Sequence, residues 1–316
     1  MSEGRTIGVI GSGSFGVTIA SLLSHNEDVL LYARNRDTVI SINDHNTCRG
    51  YKLNSRIKAT ASIEEVSGRC QLLFPMVPSK SFRNMIRDFA PYLRPYHTII
   101  HATKGFDLQG LTDEQLLTAE IDREDVFTMS QVIAQESAVL KIGCLAGPNL
   151  AAEILSGQPT ATVIGSEFDE VIKLGKAVLK SSKFFVFGTH DILGAELSGI
   201  LKNPLAIGAG LLEGSGYGKN VQAMMLTRGL TEMIQFGKAV GASSYSFLGT
   251  AGIGDLIATA NSKTSRNFTF GYRIGQGEKV EDVMKTMPEL AEGVRTLRVM
   301  NRLSKRLNID IPINEM

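Results

Sequence analysis

Thr6-Ile-Gly-Val-Ile-Gly-Ser-Gly-Ser-Phe-Gly-Val-Thr-Ile-Ala-Ser-Leu-Leu23 decides the fold. Thr6–Ile10 is a β-branched apolar run, Gly11-Ser-Gly-Ser-Phe-Gly16 is a GxGxxG, and Val17–Leu23 is an apolar run of helical character. A GxGxxG alone carries little weight, but a strand before it and a helix after it make it the first turn of a dinucleotide-binding βαβ unit. Gly11 permits the tight turn, Gly13 lets a pyrophosphate approach the backbone, and Gly16 lets the helix pack on the strand. The free N–H groups at the helix start then face the phosphates. The plainer reading is a Gly-rich turn with no ligand.

The next strand, Val29–Tyr32, ends in Ala33-Arg34-Asn35-Arg36. A carboxylate there would bind the ribose 2′-hydroxyl of NAD and repel a 2′-phosphate; guanidinium groups instead suit NADP. NAD stays open, because an exposed arginine that stacks on adenine excludes neither cofactor. Further strands are expected at Leu72–Met76, Thr98–His101, Thr160–Ile164 and Phe184–Phe187. Strands separated by helix-length segments imply βαβ units and a parallel sheet. Beyond about Gly188 the β-branched runs vanish, and segments such as Val221–Val240 place apolar residues at helical spacing. The expected organisation is α/β: a Rossmann-type N-terminal domain with a parallel-rich sheet over residues 1–190, plus an all-α C-terminal domain over 191–316.

The 316 residues carry 33 Lys+Arg against 32 Asp+Glu, a formal net charge of +1 with no block of like charge. Nothing there supplies the basic field that dominates nucleic-acid affinity. Met1-Ser-Glu-Gly-Arg5 runs straight into the first strand, which disfavours a signal peptide, and Lys202 and Asn203 interrupt the most apolar region, so no membrane span is expected. Cys48, Cys70 and Cys144 form no close pair and read as reduced structural thiols. A cytoplasmic protein is expected. Val294–Leu307 places Arg295, Arg298, Arg302 and Lys305 on one face of a helix, read as a solvated cationic face. The chain stops at Asn314-Glu-Met316 without a helix-ending signal, as a chain cut short would.

No HExxH, CxxC, GxSxG or GxxxxGK[ST] motif occurs, and the five histidines are scattered without helical pairing, so no metal site is expected. Lysines are the better chemical candidates. Lys202 lies in the apolar segment Leu197-Ser-Gly-Ile-Leu-Lys-Asn-Pro-Leu-Ala-Ile207, where burial would lower its pKa towards neutrality and let it exchange a proton with an alcohol. A snorkelling lysine is the alternative. Lys104 follows strand Thr98–His101, at the carboxyl edge of the sheet where ligands of open α/β folds bind. Asp255, in Thr250-Ala-Gly-Ile-Gly-Asp-Leu256, suits orienting a lysine; Arg266 and Asn267 offer donors to an anion such as a phosphate. A helix cap and a surface turn are the plainer reading of that cluster.

Together, Gly11–Gly16, Val77-Pro-Ser79, Lys104-Gly105, Gly147-Pro148, Leu201-Lys-Asn203, Leu226-Thr-Arg-Gly229, Gly252–Leu256 and Ser265-Arg-Asn267 resemble the bacterial NAD(P)-dependent glycerol-3-phosphate dehydrogenases, collinearly over nearly the whole chain. The resemblance implies reversible reduction of dihydroxyacetone phosphate to sn-glycerol 3-phosphate, feeding phospholipid synthesis, with NADP or NAD as cofactor and a small phosphorylated substrate. It implies cofactor contacts at Ser14, Phe15, Arg34, Ala151, Arg266 and Glu292, with Lys104 touching cofactor and substrate. Lys202 would be the proton donor and acceptor, with Asn203, Asp255, Thr259, Ser265, Arg266 and Asn267 around the substrate. A homodimer is compatible with this reading. Two departures stand out. Gly147-Pro-Asn149 carries an amide where the family usually has Ser, able to hydrogen-bond substrate with different geometry. Pro204 follows Lys-Asn where an aliphatic residue is usual, and is expected to kink the helix and free the Ile200 carbonyl. The alternatives are a related two-domain dehydrogenase of the β-hydroxyacid type and an NAD(P) sensor without chemistry.

Overall fold

The computed structural model describes residues 5–112, 114–287 and 291–315. The chain forms two compact units. The first is built from the chain up to Thr103, Met129–Leu145 and Asn149–Ile192. The second comprises Lys104–Thr128, Ala146–Pro148 and the chain from Leu193 on. The units are therefore not two consecutive stretches of sequence.

The first unit is organised by a sheet. In chain order its strands are β1 (Thr6–Ile10), β2 (Asp28–Tyr32), the short hairpin β3 (Thr47–Cys48) and β4 (Tyr51–Lys52), β5 (Ile57–Thr60), β6 (Leu72–Pro75), β7 (Thr98–His101), β8 (Lys141–Ala146), β9 (Thr160–Gly165) and β10 (Phe184–Thr189). All but the hairpin lie in one eight-stranded sheet of order β10-β9-β8-β7-β6-β1-β2-β5. The pairs β1–β2, β1–β6, β2–β5, β6–β7, β7–β8 and β9–β10 run parallel. β1 pairs with β2 on one side and β6 on the other, so strand order reverses at its carboxyl end, the switch point where open α/β sheets bind ligands. Ile7, Val9, Ile19, Leu31 and Phe74 are fully buried in the core that this sheet shares with its helices. The expected strands are present, with ends moved by one or two residues. β5 and β8 were not among them: Ile57-Lys-Ala-Thr60 and Lys141-Ile-Gly-Cys-Leu-Ala146 mix Lys and Gly into short runs and gain their strand character from parallel neighbours.

The second unit is helical. Helices Ile192–Gly214 and Arg266–Gly275 each carry two glycines four residues apart, which places them on one face. A Cβ on Gly210 would lie 2.0 Å from the Phe268 carbonyl oxygen, and one on Gly271 only 1.8 Å from that of Ile207. Gly214 and Gly275 meet Tyr272 and Leu211 in the same way, at 2.2 and 2.3 Å. The two backbones therefore touch directly, from Ile207 to Gly214 on one helix and from Phe268 to Gly275 on the other.

Helix Ile192–Gly214 runs on past Pro204 for ten more residues, and the proline's missing N–H leaves the Ile200 carbonyl without the ordinary i+4 donor. One expectation changes. The basic face of helix Ala291–Leu307 is not merely solvated. Arg295 donates to the Leu111 carbonyl at 2.9 Å, Arg302 donates to that of Leu117, and Arg306 grips Asp122 with two bonds of 2.7 and 3.0 Å. These contacts strap Lys104–Thr128 onto the helix, and Leu116, Ile121 and Val126 sink into the same core as Val299, Met300 and Leu303.

Replacing Gly271 by Ala is expected to destabilise the protein by about 1–3 kcal/mol in urea unfolding, since the new methyl group meets backbone that cannot rotate away. Ala at Gly277, whose Cβ position has nothing within 4 Å but whose φ is +93°, should cost about 1 kcal/mol through strain alone.

Candidate functional site

The glycine-rich turn belongs to the first unit. Gly11 takes φ +113°, and its N–H donates to the Tyr32 carbonyl at 3.0 Å, tying the turn to the end of β2. A Cβ on Gly16 would lie 1.9 Å from the Gly11 carbonyl oxygen, so only glycine fits. Gly13 differs: nothing lies within 4 Å of its Cβ position. Packing therefore does not explain that glycine, whereas a group approaching the backbone does. Helix Ser14–Leu23 starts immediately after it, with no side chain capping its first N–H groups. Open space beside uncapped N–H donors fits the pyrophosphate of a dinucleotide. Phe15 packs against the sheet core, while Arg34 is exposed at the end of β2 beside Asn35, which caps helix Arg36–His45.

A contact not anticipated from the sequence adds to this loop. Arg49, at the tip of the β3–β4 hairpin, donates from Nε to the Ser12 carbonyl at 2.9 Å. Thirty-seven residues separate the partners, and no motif links them.

The candidate chemical centre lies within the second unit. Asp255 opens helix Asp255–Ala260 after a π-helical turn, Thr250–Gly254, in which Gly252 packs against the Phe247 carbonyl too closely for any side chain. That crossing buries the carboxylate, which is 3% exposed. Lys202 donates to Asp255 Oδ1 at 2.7 Å and to the hydroxyl of Thr259, which in turn donates to the same Oδ1 at 3.3 Å. Asp255 and Thr259 stand one helical turn apart and so share a face. The second oxygen, Oδ2, accepts Lys104 at 2.6 Å. Lys104 also reaches the Gly147 carbonyl at 3.4 Å, where Gly147 takes φ +136°. Two ammonium groups thus share one carboxylate, Lys202 almost wholly buried and Lys104 26% exposed.

Burial strips water from the Lys202 ammonium and pushes its pKa down to about 7; Asp255 opposes the fall and the like charge of Lys104 adds to it. At neutral pH the group is balanced between donor and acceptor of a proton. Expectation and geometry agree on the grouping of Lys104, Lys202, Asp255 and Thr259.

The remaining positions have plainer surroundings. Asn203 is buried on the Lys202 helix. Ser265 caps helix Arg266–Gly275 by accepting the Phe268 N–H at 3.4 Å; Arg266 is exposed and Asn267 half-buried in its first turn. Asn149 donates to the Thr162 hydroxyl at 3.0 Å, leaving its buried Oδ1 without a hydrogen-bond partner among the described residues. Ala151 opens helix Ala151–Leu155, and Glu292 lies in the first turn of Ala291–Leu307. Among the described residues no three His, Cys, Asp or Glu side chains group as metal ligands, and no helix is long and apolar enough to cross a membrane.

Two family models match most of the chain. The model of the NAD-dependent glycerol-3-phosphate dehydrogenase N-terminus matches residues 6–172, and that of the C-terminus matches 191–316. The glycerol-3-phosphate dehydrogenase (NAD(P)+) of Saccharophagus degradans is 37% identical, over 99% of this chain and 85% of its own length. That of Staphylococcus haemolyticus is 34% identical over 97% and 90%. The crystal structure of glycerol-3-phosphate dehydrogenase from Coxiella burnetii superposes with a TM-score of 0.86 at 26% identity, covering 99% of this chain and 93% of that one. A 2-dehydropantoate 2-reductase from Geobacter metallireducens, at TM-score 0.60 and 16% identity over 98% and 97%, shares the fold alone. Sequence likeness over nearly the full length, in both segments, makes this chain a member of the NAD-dependent glycerol-3-phosphate dehydrogenase family.

Proposed function

We propose that the protein reversibly reduces dihydroxyacetone phosphate to sn-glycerol 3-phosphate with NADPH or NADH, supplying phospholipid synthesis. The observation that carries the reading is Lys202: a buried amine with a pKa of about 7, held by a carboxylate and a hydroxyl. The near-full-length relatives from Saccharophagus degradans and Staphylococcus haemolyticus bear this activity in their names, whereas the 2-dehydropantoate 2-reductase shares only the fold. A sensor without chemistry would have no use for so costly a burial.

The nicotinamide cofactor, when bound, supplies the hydride taken up by the carbonyl carbon. The work of this chain's own residues is to bind, orient and protonate. Gly11, Gly13 and Gly16 shape the phosphate cradle; Ser14, Phe15, Arg34, Ala151, Arg266 and Glu292 complete the proposed cofactor contacts. Protonated Lys202 gives its proton to the developing alkoxide oxygen and is left neutral, a state its burial favours. Asp255 holds the ammonium on course, and Thr259 fixes the carboxylate. Lys104, more exposed, is proposed to hold the substrate phosphate and to touch the cofactor. Gly147, Asn149, Asn203, Ser265, Arg266 and Asn267 are proposed to frame the rest of the substrate. A cytoplasmic location belongs to the proposal, supported by three free, buried cysteines that a reducing compartment maintains. A homodimer belongs to it too, with sedimentation equilibrium at twice the mass of one chain as its test.

Loss of NADPH or NADH absorbance on adding dihydroxyacetone phosphate tests the reaction; Lys202→Ala should lower kcat by about 10²–10⁴. Because the protonated amine is the donor, reduction should slow as pH rises through about 7, and oxidation of glycerol 3-phosphate should quicken over the same range. A reduction rate that is flat from about pH 6 to 8.5 would remove Lys202 from the role.

Asp255→Asn deletes the attraction that opposes desolvation. Lys202 should then titrate below 7, moving the falling limb of the reduction profile to lower pH, and chemical denaturation should show a loss of about 3–5 kcal/mol.

A further inference from the structure

We infer that Arg49 is a cofactor-selecting residue that pairs with the 2′-phosphate of NADP, an inference that rests on the dinucleotide reading of the glycine-rich turn. Three observations converge. First, Arg49 Nε donates to the Ser12 carbonyl at 2.9 Å, which sets its guanidinium on the glycine-rich loop and leaves the two terminal nitrogens to a further acceptor. Second, Ser12 follows Gly11, whose N–H is bonded to the Tyr32 carbonyl at the last residue of β2. That strand end is where dinucleotide-binding folds meet the adenosine ribose. Here it carries exposed Arg34 and Arg36 in place of a carboxylate, so Arg49 adds a guanidinium from a separate element. Third, Arg49 takes φ +52° and Gly50 φ +80°, as the two central residues of the turn joining Cys48 to Tyr51. Positive φ at both positions is the signature of a type I′ turn, whose first position favours Asn, Asp or Gly. Arginine there is an unfavourable choice for the hairpin, and a planar fork of donors for phosphate is what it offers in exchange.

The turn provides its own control. Arg49→Asn creates an Asn-Gly pair, the preferred sequence for this turn, so the variant keeps the hairpin while losing the guanidinium. Arg49→Lys keeps the charge without the fork. The chain has no tryptophan, so reduced nicotinamide fluorescence gives Kd for NADPH and NADH without substrate and without turnover. The expected result is a loss of at least about tenfold in NADPH affinity for Arg49→Asn, an intermediate loss for Arg49→Lys, and less than about twofold change for NADH in both. The NADPH effect should shrink at high salt, as for an exposed ion pair. Equal weakening of both cofactors would assign Arg49 to loop shape or the pyrophosphate and overturn the inference; so would no change in either. Failure of the wild-type protein to bind either cofactor would instead overturn the dinucleotide reading itself, and this inference with it.

Discussion

One buried carboxylate organises the helical unit. Asp255 is almost fully enclosed, and each of its oxygens accepts a different lysine, Lys202 on one side and Lys104 on the other. Without it, two like charges would face each other with too little water to screen them, and the Lys202 amine would have no anion to offset its desolvation. The three residues come from distant parts of the chain: the strap that begins at Lys104, the middle of helix Ile192–Gly214, and the start of helix Asp255–Ala260. Holding those elements to within a fraction of an ångström is therefore a condition for the charge arrangement, and the backbone features of this unit serve that condition.

Glycine supplies much of the required closeness. Gly252 lets the π-helical turn pack against the Phe247 carbonyl so that Asp255 starts its helix inside the core, and Gly210 and Gly271 let two helices touch backbone to backbone. Wherever a side chain would have set a spacing of its own, the chain has none. The strap is held differently, by arginines of helix Ala291–Leu307 reaching carbonyl groups and Asp122. The carbonyl acceptors at Leu111 and Leu117 tie down backbone directly, while the Asp122 carboxylate and the buried Leu116, Ile121 and Val126 add side-chain anchors to the strap.

Legibility in the sequence followed the range of each interaction. The first βα turn was readable because strand, glycines and helix are contiguous, and the physical demand on each glycine is local. Lys202 was readable as a candidate because a charge in an apolar segment is conspicuous, and Asp255 for the same reason. The sharing of Asp255 by both lysines was not, because 151 and 53 residues separate the partners and only packing joins them. Arg295 and Arg302 read as solvated, since nothing in a helical repeat reveals that a distant loop will offer carbonyls to one face. β5 and β8 escaped for a related reason: short runs broken by Lys or Gly become strands only when parallel neighbours supply the ladder.

The distribution of cations follows from what each can do with a proton. Guanidinium stays charged at any accessible pH and presents a rigid fork, so it suits phosphate and is useless as a proton donor near neutrality. Burial can bring an ammonium's pKa near neutrality, and the surroundings of Lys202 bring it down to about 7. Arg34 and Arg49 lie exposed, Arg49 on the glycine-rich loop and Arg34 beside the strand end that loop is tied to, where permanent charge is the asset. Lys202 sits in the interior, where the proposed reaction requires a charge that can be given up and regained. Lys104 shares the same carboxylate yet is a quarter exposed, so it keeps water that Lys202 lacks. One anion therefore holds two lysines in unlike surroundings, the difference between them being set by solvent and not by their shared partner.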